Sequence, residues 1–155
     1  MKGEMLAGRR MPRVAAVLAG VLLALASPAR SQTTDTVAAA VSAAQVAARS
    51  WLSLVDRGTY GESWDSAAAF FHKAVTKPAW EDALRKARTP FEPFGERNLV
   101  GAAYRTVLPR APPGQYVVLE YRTVAGGGKK VVETVTPMKD ADGRWRVAGY
   151  FIRPE

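Results

Sequence analysis

Glu133 stands at the centre of VVETVTPM (131–138), a run of Val and Thr that otherwise reads as a β-strand. A carboxylate held in a strand can act as a general acid or base, as half of an ion pair, or as a charge on a wetted face. His72, in FFHK, is the only imidazole, and the chain contains no Cys. Disulfides, thiolate metal sites and cysteine nucleophiles are therefore excluded. A single His also leaves transition metals without a ligand set. Asp140 and Asp142 in KDADGR lack the length and the distal Glu of a calcium loop and suit a hairpin instead. Neither a metal nor a cofactor is expected. No acid or nucleophile pairs with His72 by spacing, and as a cation near a helix C-terminus it is mildly stabilising.

The chain has 155 residues, enough for one domain with a substantial core. Its formal charge is +8, and part of that sits at the N-terminus. Lys2, Arg9, Arg10 and Arg13 precede an apolar or small-residue run from Val14 to Ala26, and Ser27-Pro28-Ala29 follows with small residues. A basic segment, a short apolar segment and a small-residue site together read as a secretory signal peptide over residues 1–29. Cleavage is expected after Ala29, or alternatively after Ala26. The apolar run falls short of the ~20 residues that span a bilayer, so no stable membrane span is expected after cleavage. Without the leader, 18 basic residues face 13 acidic ones, with no basic run longer than Lys129-Lys130. No basic stripe interleaved with aromatics is present, so nucleic acid is not an expected partner.

Residues 30–36 are polar and without period and read as a disordered lead-in to a single domain over 37–153. Val37, Val41, Ala44, Ala48, Trp51, Leu52 and Val55 recur at helical spacing, and Gly58 is placed to end that helix. A second helix is expected over about 60–71, with Trp64, Ala67, Ala68 and Phe71 inward. A third is expected to be capped at Thr76, with Trp80, Ala83, Leu84 and Ala87 on the core side and Pro90, Pro93 and Gly95 beyond its end. Residues 97–108, 115–124, 130–139 and 144–152 then alternate as strands, separated by PRAPPG, AGGG and DADG. The expected fold class is α+β: three N-terminal helices packed on one face of a curved, four-stranded antiparallel meander. All four Trp residues fall on inward faces, where core packing is the default.

Closing AGGG with Val124 opposite Lys129 places Glu120 opposite Glu133. Closing DADG with Lys139 opposite Arg144 places Tyr150 opposite Glu133. In this register Val117, Leu119, Tyr121, Val132, Thr134, Thr136, Met138, Trp145, Val147 and Phe151 face the helices, joined by Tyr104 and Leu108. Tyr104, Tyr121, Thr134 and Thr136 would then bring hydroxyls to a candidate pocket. The outer face would hold Val118, Glu120, Arg122, Val131, Glu133, Val135, Arg146, Ala148, Tyr150 and Ile152, with Arg122 and Arg105 offsetting the facing carboxylates. A one-residue slip in either hairpin would exchange the faces. So apolar an outer face calls for a cover, and a homodimer through it is expected, with Glu120, Arg122, Glu133 and Tyr150 as candidate interface residues.

The segments WLSLVDRGTYGESWDSAAAFF, VTKPAWEDALRKARTPF, QYVVLEY, VVETVTPM and GRWRVAGYFIR together resemble a bacterial exported family, the domain of unknown function 4019, over roughly residues 44–153. The layout also resembles the cone folds of nuclear-transport-factor-2-like and cystatin-like proteins, which host enzymes, binders and dimerisation modules alike. The resemblance carries no catalytic residues. Two readings follow. The first is an exported, periplasmic or extracellular, non-enzymatic module that engages an envelope protein or a small ligand. The alternative is a small cone-fold isomerase, dehydratase or hydrolase using Glu133, Tyr121 or His72.

Overall fold

The 3.6-residue spacing of small apolar residues makes one long helix, α1 (Ala29–Asp56), in which Ala40, Ala44, Ala48, Trp51, Leu52 and Val55 are buried. The structure, a computed structural model, describes residues 29–155, so the expected leader up to residue 28 lies outside it. Residues 30–36, expected as a disordered lead-in, belong to α1. Once a helix is nucleated, each added turn costs little, even where its side chains are exposed. Gly58, at φ +74°, ends α1. Its N–H donates to Val55 O and that of Thr59 to Leu54 O, the paired bonds of a Schellman motif.

The expected second helix is two short ones, α2 (Tyr60–Asp65) and α3 (Ala69–Ala74). The break between them has a partner: the extended Ala68 donates its N–H to Val147 O on the edge of the sheet, at 2.9 Å. Helix α4 (Lys77–Arg88) carries Pro78 in its first turn and buries Trp80, Leu84 and Arg88. Strands β1 (Phe94–Arg105), β2 (Tyr116–Ala125), β3 (Lys129–Lys139) and β4 (Trp145–Pro154) form an antiparallel sheet in the order β1-β2-β3-β4. The fold is the expected α+β arrangement, with the helices on one face of the sheet.

The core lies between α1, α4 and the inner face. Trp51 packs against Trp80 and Tyr150, with ring centroids 5.9 and 5.4 Å apart, and Phe71 meets Trp80 edge-on at 4.8 Å. Ser63 is fully buried beneath them. Its carbonyl accepts Trp51 Nε1 and its Oγ accepts Trp80 Nε1, so both indoles are satisfied inside the core.

The register departs from expectation at both later hairpins. Ala125, not Val124, pairs with Lys129, because Gly127 and Gly128 adopt φ +72° and +76° and close a three-residue loop. That slip turns β3 over: Val131, Glu133 and Val135 face the helices, and Val132, Thr134 and Thr136 face away. Glu133 lies opposite Tyr121 and Ile152 rather than Glu120 and Tyr150. At the second hairpin Lys139 pairs with Trp145. A bulge at Ala148 then exchanges the sides of β4, so Val147 and Tyr150 both point inward while Phe151 is 72% exposed.

Candidate functional site

Glu133 is completely buried, and its environment is built by every layer of the fold. Its Oε2 accepts Arg97 Nε from β1 at 2.6 Å and Thr123 Oγ1 from β2 at 3.2 Å. Its Oε1 accepts Tyr150 Oη from β4 at 2.7 Å, Arg97 Nη2 at 3.1 Å and Arg88 Nη1 from the end of α4 at 3.3 Å. The two guanidinium groups are shared with Asp56 at the end of α1, which accepts Arg88 Nη2 at 2.7 Å and Arg97 Nη1 and Nη2 at 2.7 and 2.8 Å. Arg88 also lies under the Phe94 ring, 3.9 Å from its centroid. Two carboxylates and two guanidinium groups thus balance in charge and pin α1, α4 and the whole sheet at one point.

The electrostatics agree with that arrangement. Burial pushes the Asp56 carboxyl up, but the Arg97 and Arg88 guanidinium groups more than reverse this and leave it below the usual carboxylate range. Burial disfavours the Arg97 charge, and Asp56 and Glu133 overcome it, raising Arg97 above the ordinary arginine value. Burial, and then the Glu133 charge, push the Tyr150 phenol well above its ordinary range, so it remains a hydrogen-bond donor. A carboxylate that accepts five hydrogen bonds away from solvent has no free lone pair with which to take a substrate proton. This cluster can hold the fold together, and both Glu133 oxygens are taken up by its hydrogen bonds.

The residues singled out from the sequence fall in different places. Of the expected interface set, Glu133 and Tyr150 meet on the inner face, while Glu120 and Arg122 are exposed on the outer one, where Arg122 pairs with Glu155 at 2.8 Å. The outer face loses Val131, Val135, Tyr150 and Ile152 to the inside and gains Val132 and the exposed Phe151, so the apolar set on which the two-fold cover was expected is a different one. Of the expected pocket set, Tyr104 and Tyr121 pack with the core and Thr134 points away with the flipped β3, while Thr136, on that same outer side, lines a cleft along the edge of β4. The Tyr121 hydroxyl is buried without a hydrogen-bond partner among the described residues, and burial raises its pKa. His72 stacks on Trp64 at 4.2 Å, and its Nε2 lies 2.6 Å from Trp64 O. Sequence reasoning missed Asp56, Arg88, Arg97 and Thr123.

A second feature was not anticipated. An open cleft of about 570 Å³ lies along the edge of β4, between α3 and the 106–115 loop. Phe70, Phe71, Val75, Trp80 and Leu108 supply its apolar walls, and the small residues of the bulge, Ala148 and Gly149, supply its floor. β4 is an edge strand, and along its free side the only interelement backbone bond among the described residues is the one Val147 O receives from Ala68. A small second cluster, with Ala68, Tyr116 and Met138 at its centre, supports the 106–115 loop through Leu108 and Ala111.

Among the described residues no helix is long and apolar enough to cross a membrane. Comparison with curated proteins gives no match. Residues 47–150, which take in the ionic cluster and all four strands up to Tyr150, match the model of the family described as protein of unknown function (DUF4019), and the chain belongs to that family.

Proposed function

We propose that the protein is an exported, non-enzymatic binding module that takes a small, largely apolar ligand in the cleft beside β4. The observation that carries this reading is the cleft itself: about 570 Å³ of space walled by Phe70, Phe71, Val75, Trp80 and Leu108. Its size falls within the ~300–1,000 Å³ common for small-molecule sites, and its lining is of the apolar and aromatic kind such sites use. The saturation of Glu133 favours binding over acid–base catalysis. Export rests on the leader pattern of residues 1–29. Mass spectrometry of the envelope protein should give an N-terminus at Arg30 or Ser27; the intact Met1 form alone would contradict it.

The test of the cleft is titration with N-phenyl-1-naphthylamine, an uncharged apolar fluorophore. Saturable binding is expected in the parent protein. It should be lost in Ala74→Trp, which plugs the cleft from an exposed position on α3, with no change in melting temperature. Binding that survives the plug, or that never saturates, would contradict the reading.

A further inference from the structure

Arg110 is, among the described residues, the one charged residue lining the cleft. Among the described residues it has neither an ion pair nor a side-chain hydrogen bond, in contrast to Arg88, Arg97, Arg122 and Arg146, each of which is paired with a carboxylate. Its backbone is unusual too. Ala111 N–H donates to Leu108 O at 3.3 Å across the turn Leu108-Pro109-Arg110-Ala111, and Arg110 sits at φ +60°. A turn with Pro at its second position and a positive φ at its third asks for Gly or Asn there. A long, charged, L-configured side chain in that place is held against its backbone preference, and strain of this kind gathers at ligand clamps. Leu108 and Ala111, on either side, are anchored in the second cluster, so the guanidinium is carried on a fixed turn at the cleft.

An apolar cleft with a single unpaired cation at its lining is complementary to one kind of small molecule. Resting on the binding reading above, we infer that the ligand is an anionic amphiphile, with an acyl chain or similar apolar body against Phe70, Phe71 and Leu108. Its single carboxylate or phosphate head is held by Arg110. The guanidinium suits either head, because its forked donors match both oxyanions in a bidentate pair. The remaining wall has no charge to favour a cationic head, and no fixed polar group is needed to hold the tail.

The experiment is displacement of N-phenyl-1-naphthylamine at low ionic strength by dodecanoate, dodecyl phosphate, dodecanol and dodecyltrimethylammonium, each below its micelle concentration. Dodecanoate or dodecyl phosphate should bind about five-fold more tightly than dodecanol, the scale of a solvent-facing ion pair, and the cation most weakly. The preference between the two anions tells a carboxylate from a phosphate source. In Arg110→Gln the advantage of the anions over dodecanol should vanish while dodecanol itself is unchanged, and Arg110→Lys should restore part of it. Arg110→Gly supplies a separate reading: relief of the turn should raise the melting temperature while the anion preference is lost. Equal binding of dodecanoate and dodecanol to the parent protein would overturn the anionic head and leave the apolar cleft standing. Failure of all four to displace the fluorophore, or displacement unaffected by Ala74→Trp, would overturn both.

Discussion

Arg88 follows Leu84 and Trp80 at intervals of four, which places a charge on the buried stripe of α4. Asp56 stands likewise four residues after Leu52 on α1. A charge at a core position such as Arg88 is affordable only as a partner, so it forms, with the strand carboxylate and the half-exposed Asp56, a pattern that the sequence contains. The pattern is spread over separate elements, each holding one charge, and Arg97 has no periodic signal in a strand with two bulges. Removing one member should leave the charge balance of the cluster broken. Glu133→Ala should cost about 3–5 kcal/mol in urea unfolding, since it leaves Arg88 and Arg97 to share the single Asp56 carboxylate, with one positive charge uncompensated. Surface Glu120→Ala should stay within ~0.5 kcal/mol; similar losses for both would contradict the burial. The pH dependence follows from Asp56. Its folded pKa lies below the unfolded value, so its contribution is present above about pH 4 and is lost as pH falls through the folded pKa. The parent protein should therefore lose stability on acidification below about pH 4. Asp56→Asn should be less stable at pH 7 and show a flatter acid limb; parallel curves would contradict the pairing.

At the scale of elements, turn chemistry decided which side chains meet. The period-2 pattern located all four strands to within a few residues, but side assignment depended on loop closure to a single residue. Three glycines allow either a three- or a four-residue loop, and nothing in the pattern of β3 distinguishes its two faces, since Val132 and Thr134 alternate plausibly with Val131 and Glu133. Val132 is in fact buried on the outer face, between the long stems of Arg122 and Arg153. The Ala148 bulge has no composition signal beyond the adjacent Gly149. Gly127 and Gly128 should be sensitive to substitution for backbone reasons alone, because a Cβ at either would meet no atom within 4 Å. Gly128→Ala should cost about 1–2 kcal/mol, the penalty of the left-handed region for an L residue. Loss well beyond that would mean that the loop is packed rather than merely turned.

At the scale of the molecule, one end of the helix layer is locked to the sheet by the ionic cluster, and the edge of β4 is left open beside an apolar cleft. Helix order, strand order and the helix-on-sheet arrangement followed from periodicity. The cleft did not, because its walls come from α3, α4, the 106–115 loop and a bulge, which lie apart in sequence. On the binding reading proposed above, the ionic cluster holds the fold while the cleft stays open to a small ligand. The most direct measurement is an amide chemical-shift map of the isotopically labelled protein titrated with dodecanoate. The account predicts saturable shifts confined to residues 70–75, 108–111 and 148–151, with the Arg97 and Glu133 amides unmoved. Shifts centred on the ionic cluster or on the outer strand faces around Glu120 and Arg122, or no saturable shift at all, would contradict it.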